Sequence, residues 1–241
     1  MLARLLAFSC LATLALSAQT AEGSLYQVDM RLRPSGSQGP VATKLASFID
    51  YQQNSAWTWE HLALTRAGVV SGPPELRQAI ERTIAEVLRR KRDRAKVAAD
   101  VRVMRDKIEE EKGTRDIWDL KHVRGGLIDI EFLTQFLQVV SAHKHPEVLD
   151  KNIVGALNKL LQAGVITLAQ AEVLVPAATL YQGLTQCLRL CLDKPFVPDE
   201  APRALKDLLV RASDMPDFAT LEGMLKDTLG AVHELYNEIV A

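Results

Sequence analysis

The sequence predicts a mainly α-helical protein, a helical bundle behind a short β remnant, and three observations carry that expectation. Apolar residues recur at three- and four-residue spacing from about residue 44 nearly to the end of the chain. Only one stretch, residues 25–33, alternates with a period of two. Gly, Pro and Asp signals cut the helical pattern into segments of ordinary length, with no internal repeat or low-complexity tract.

The alternating run sets Val28, Met30 and Leu32 against Gln27, Asp29, Arg31 and Arg33, which is a half-buried strand with one polar face. Pro34 to Pro40 is too rich in Gly and Pro to continue a strand or start a helix, so a loop follows. Lys44–Gln53 and Ala56–Ala67 read as two helices or one broken helix. Pro73-Pro74 opens the next helix where proline is tolerated, and it runs to about Arg92. Asp93–Lys112 is a charged helix whose apolar stripe is Val97, Val101, Met104 and Ile108, and Gly113 ends it. Leu127–His143 is strongly apolar and is entered through Gly125-Gly126. Further helices are expected near 151–163, 167–191, 201–212 and 217–239.

Met1–Ser17 carries Arg4, an apolar run Leu5–Leu16 and small residues at Ser17-Ala18, which imitates a secretory signal. The run is too short to span a membrane comfortably, and the rest of the chain has no secretory feature. Residues 1–23 are therefore expected to be an N-terminal apolar helix, or a start placed inside a longer gene. An exported helical protein with Met1–Ala18 cleaved is the alternative.

Composition narrows the partners. A net charge of −1 gives no general attraction to nucleic acid or an anionic membrane, and 5% aromatic residues argue against a base-stacking surface. The expected partner is a small ligand or another protein, in the cytoplasm. Three cysteines are too few for a disulfide framework. Cys187 and Cys191 fall on one helix face without a Cys or His pair nearby, so two buried small hydrophobes are expected rather than a metal site.

Three stretches offer chemistry. Asp29 lies mid-strand beside Arg31 and Arg33; a rigid strand suits a metal-binding carboxylate, and a solvated Asp–Arg pair is the bland alternative. In Trp118–Phe132, Gly125-Gly126 frees amides at a helix N-terminus with Lys121 and Arg124 adjacent, an arrangement that suits an anion. Asp129 is in register with Leu133, Phe136, Leu137 and Val140, so its carboxylate points at the core and needs a partner, unless it merely complements the helix dipole. In Ala56–Arg66, Trp57, Glu60, His61 and Leu64 share a face. His61 is a candidate base, though a packed, hydrogen-bonded imidazole is commoner. The basic run Arg89–Arg92 reads as a solvated helix surface.

Taken together, these words resemble the glutamine synthetase adenylyltransferase family (bifunctional adenylyltransferase/adenylyl-removing enzymes), in its C-terminal transferase half. The resemblance rests on Val28–Gly36, Gln38–Thr43, Ser47-Phe48, Tyr51-Gln52, Ala56–His61 and Trp118–Phe132, in the same order and spacing from about Ser17 onward. It implies an enzyme moving AMP from ATP to a tyrosine of glutamine synthetase, responsive to glutamine and to a PII-type signal protein. It also implies nucleotidyltransferase domains of the polymerase-β type, each followed by helices. Residues 24–70 would be the C-terminal remnant of such a domain and 71–241 the helical bundle.

In that family three acidic residues hold two Mg²⁺ ions, and Asp29 matches the third of them. Arg31, Arg33, Lys121, Arg124 and Asp129 would lie near nucleotide or phosphate. No Asp-x-Asp word occurs in the chain, however, and Gly23-Ser24 has no paired carboxylates after it. Asp129 and Glu131 have that spacing, but two-residue neighbours on a helix do not face each other. Ser37 stands where the family suggests an arginine. The chain is thus expected to be an enzyme fragment, inactive alone, with a non-catalytic module docking glutamine synthetase or a PII-type regulator as the alternative.

Overall fold

A computed structural model describes residues 17–21, 23–24, 28, 35–40 and 42–241. The expected strand over 25–33, with Asp29, Arg31 and Arg33, lies outside the described residues except for Val28, which is exposed. The apolar run before Ser17 lies outside them too. Two-residue strands β1 (Gln19–Thr20) and β2 (Gly23–Ser24) pair antiparallel, with Gln19 opposite Ser24 and Thr20 opposite Gly23. Gly23-Ser24 is therefore strand here.

Nine α-helices follow among the described residues: α1 (Leu45–Asn54), α2 (Thr58–Leu64), α3 (Pro74–Leu88), α4 (Arg94–Lys112), α5 (Leu127–Ser141), α6 (Ile153–Gln162), α7 (Leu168–Cys191), α8 (Arg203–Ala212) and α9 (Phe218–Ile239). Their ends have local causes. Pro74 starts α3 because a first-turn proline forfeits no helical hydrogen bond. The Asp93, Asn152 and Asp217 side chains accept first-turn amides of α4, α6 and α9 at 3.1, 3.0 and 2.7 Å. At α7, Thr167 and Gln170 exchange side-chain and backbone bonds of 3.0 and 3.2 Å, a capping box.

Helix α5 is the axis. It touches α2, α4, α6, α7 and α9, and its residues from Leu127 to Ile130 and from Leu133 to Val140 are all buried. Ile130, Leu133 and Phe136 meet Leu174, Tyr181 and Leu184 of α7 and Leu225 and Val232 of α9 in one continuous core. Each such aliphatic side chain contributes roughly 1.5–3 kcal/mol by leaving water. Among the described residues no helix is long and apolar enough to cross a membrane.

The structure departs from several local expectations. Before residue 70, α2 rests on α4 and α5 and sends Leu62 and Leu64 into the same core. Trp57 precedes α2 and stands 71% exposed, outside the packed Glu60–Leu64 turn. Cys191 is exposed and Cys187 only half-buried, not two buried hydrophobes. The basic run is not simply a solvated face. Arg92 donates to the Leu88 and Val87 carbonyls at 3.0 and 2.8 Å, closing the end of α3, and Arg90 reaches the Gln53 carbonyl at 3.0 Å.

Candidate functional site

The segment between α4 and α5 folds around one buried ion pair. Asp129, in the first turn of α5, and Arg105, on α4, are both wholly inaccessible to water. The Arg105 Nε donates to Asp129 Oδ1. Its remaining nitrogens donate to Glu109 Oε2 at 2.9 Å and to the His122 carbonyl at 3.0 Å. Asp129 Oδ2 accepts from the Gly125 amide. Burying two charges is tolerable only when each is paired and hydrogen-bonded in this way. The inward register of Asp129 is as its sequence position predicts; Arg105 was not foreseen.

This geometry changes the reading of Gly125-Gly126. The Gly125 amide is taken by Asp129, and the next three amides donate to the Val123, Leu120 and Lys121 carbonyls at 3.0, 2.8 and 3.3 Å. The helix N-terminus therefore presents no free row of donors to an external anion. The glycines are needed for close approach. Gly125 has φ +78°, and a Cβ there would lie 1.9 Å from the Leu229 carbonyl oxygen of α9.

The other candidates separate. Arg124 is held by Asp106 and Glu109 at 3.0 and 3.2 Å, so it joins Asp129 through the shared Glu109 and Arg105. Lys121 faces away into a different cleft and has no ion-pair partner among the described residues. Glu131, two residues from Asp129, pairs on the surface with Arg66 at 3.0 Å, as opposite helix faces require. His233 Nδ1 of α9 lies 3.9 Å from Asp129 Oδ2. Burial first, and then the Asp129 charge, pushes the Tyr181 and Tyr236 phenols up, so both remain neutral hydroxyls.

Around α2, Glu60 is buried and accepts from the Tyr51 hydroxyl at 3.0 Å and the Trp57 amide at 2.9 Å. His61 is the packed imidazole: its Nε2 donates to the Gln52 carbonyl at 3.1 Å. Burial holds its pKa below the ordinary value, against that hydrogen bond, which raises it. A histidine with a depressed folded value contributes stability above the unfolded value, about 6.5, and loses it as pH falls through the folded value. Thermal melts are thus expected to fall on acidification below about pH 6.5, and His61→Gln should flatten that slope. An unchanged slope would exclude the assignment.

Fold and site together define a helical bundle module organised by a buried arginine–aspartate pair. Residues 10–83 match the family described as Glutamate-ammonia ligase adenylyltransferase, and residues 102–239 match that described as GlnD PII-uridylyltransferase. The chain is 51% identical over 226 residues to a protein of Rhodopseudomonas palustris (strain TIE-1) named bifunctional glutamine synthetase adenylyltransferase/adenylyl-removing enzyme. Proteins of the same name from Bradyrhizobium diazoefficiens and Xanthobacter autotrophicus are 48% and 46% identical. Each alignment covers 94% of this chain and 23% of the relative, so the chain spans about a quarter of their length. The chain belongs to the glutamine synthetase adenylyltransferase family, and its bundle has the match to the PII-uridylyltransferase family as well.

Proposed function

We propose that this chain is part of an enzyme that transfers AMP from ATP to a tyrosine of glutamine synthetase, in the cytoplasm. The observation that carries this is the 51% identity over 94% of the chain to relatives named for adenylyl transfer and removal. In this reading residues 24–70 close a nucleotidyltransferase domain and the helices behind form its bundle, with α2 docked on it. Asp29 is a metal ligand, and Arg31 and Arg33 contact phosphate. Lys121 is free to meet nucleotide or acceptor, whereas Arg124 and Asp129 act as positioning residues through Arg105.

Among the described residues no group of three carboxylates, histidines or cysteines is arranged to hold a metal. In this reading Asp29, outside the described residues, is a ligand of Mg²⁺, and the sequence holds no Asp-x-Asp pair beside it. Purified alone and supplied with ATP, Mg²⁺ and glutamine synthetase, the 241-residue chain is expected to transfer no measurable AMP. Robust labelling of glutamine synthetase would refute this. In a longer enzyme carrying these residues, Asp29→Asn should slow transfer roughly a hundredfold or more, the effect of losing several kcal/mol of metal stabilisation.

A second reading is favoured by the bundle's match to the PII-uridylyltransferase family. There the chain is a non-catalytic module that docks glutamine synthetase or a PII-type regulator. Pull-down of either protein by the chain, without turnover, separates this reading from the first.

A further inference from the structure

A cleft of about 470 Å³ opens between the Asp116–His122 segment and the C-terminal end of α7 with the loop after it. That size suits small organic ligands. Leu120, Leu188, Leu192 and Phe196 make its apolar lining, and Lys121, Arg189 and Lys194 bring cations to it from separate segments. None of the three has an ion-pair partner among the described residues.

The acids on the same wall are already engaged. Asp119 holds His122 at 3.0 Å, and Asp116 accepts the Trp118 amide at 2.9 Å. Arg189 sits in the last turn of α7, where the helix dipole favours a cation, but Lys121 and Lys194 lie outside any helix. Thr185 is among the residues around the cleft, but its hydroxyl is buried beneath the wall and has no hydrogen-bond partner among the described residues. A helical threonine ordinarily bonds back to a carbonyl of the preceding turn, and a buried polar atom left unmatched is costly. Three exposed cations without ion-pair partners among the described residues, on one apolar-lined cleft, are complementary to an anionic ligand.

We propose that this cleft binds a small organic anion. Lys121, Arg189 and Lys194 hold its phosphate or carboxylate head, and its apolar body rests on Leu188 and Leu192. The proposal shares Lys121 with the nucleotidyl-transfer reading, but that reading rests on the family match, so failure of anion binding here leaves it standing. Calorimetric titration of the whole chain with phenyl phosphate and with benzoate tests it, since the two share a ring and differ in the head group. Saturable binding of either is expected, the tighter one identifying the head. Binding should weaken about tenfold or more in a Lys121→Ala, Arg189→Ala, Lys194→Ala variant. All three side chains are exposed, so that variant should keep its helical circular dichroism. The proposal is overturned if neither probe saturates at millimolar concentration, or if the triple variant binds as tightly as the parent. Inorganic phosphate binding as tightly as phenyl phosphate would overturn the role of the apolar lining.

Discussion

Truncating Asp129 to alanine is expected to lower the unfolding free energy of the chain by about 3–5 kcal/mol. The side chain is fully buried, and its loss strands the equally buried Arg105 guanidinium among apolar residues of α4 and α5. It also removes the acceptor of the Gly125 amide. Glu109 and the His122 carbonyl would still bind Arg105, but Glu109 is partly open to water and is shared with Arg124. The cost therefore comes from an uncompensated charge more than from one missing hydrogen bond.

The companion variant discriminates between causes. Replacing both partners with apolar residues, Arg105→Met with Asp129→Leu, should recover most of the loss, because neither charge then remains buried. Urea denaturation of the single and double variants measures this as a coupling between the two sites. An Asp129→Ala variant as stable as the parent would show that the pair contributes nothing to the bundle. Asp129→Asn, which keeps the shape and loses the charge, should fall between. In a longer catalytic enzyme it should also reduce transfer by disturbing the Lys121–Gly126 segment, and unchanged kinetics would count against a positioning role.

The bundle was largely legible in the sequence because its signals are local. Asp93 and Gly113 mark the ends of α4, Thr167 begins α7 and Asp217 begins α9, each within a residue or two of expectation. What escaped was set by partners distant in the chain. Arg105 lies four residues after Val101 on the buried stripe, so its register was visible, yet an arginine in a charged helix reads as solvated until its carboxylate partner is placed. Gly125-Gly126 read as an anion cradle for the same reason. Sequence shows free amides at a helix start, and only the fold shows Asp129 and three carbonyls occupying them. Arg92 and Trp57 failed in opposite directions, one drawn in by the carbonyls at the end of α3, the other left outside at the start of α2.

The second large effect lies in that same glycine step. Gly125→Ala is expected to cost more than about 3 kcal/mol, or to prevent the bundle from closing, because two penalties coincide. A left-handed backbone costs an alanine roughly 1–2 kcal/mol. Here the added carbon would also meet the Leu229 carbonyl oxygen at 1.9 Å, a contact with helix backbone that no side-chain movement relieves. Gly164 supplies the internal control: its φ is +68°, and a Cβ there would meet nothing within 4 Å. Gly164→Ala should therefore show the conformational penalty alone. The difference between the two variants in urea or thermal unfolding isolates the close approach of α9 to the start of α5. Equal losses would mean that α9 yields at Leu229, and that the Gly125 loop is held by backbone conformation and not by helix contact.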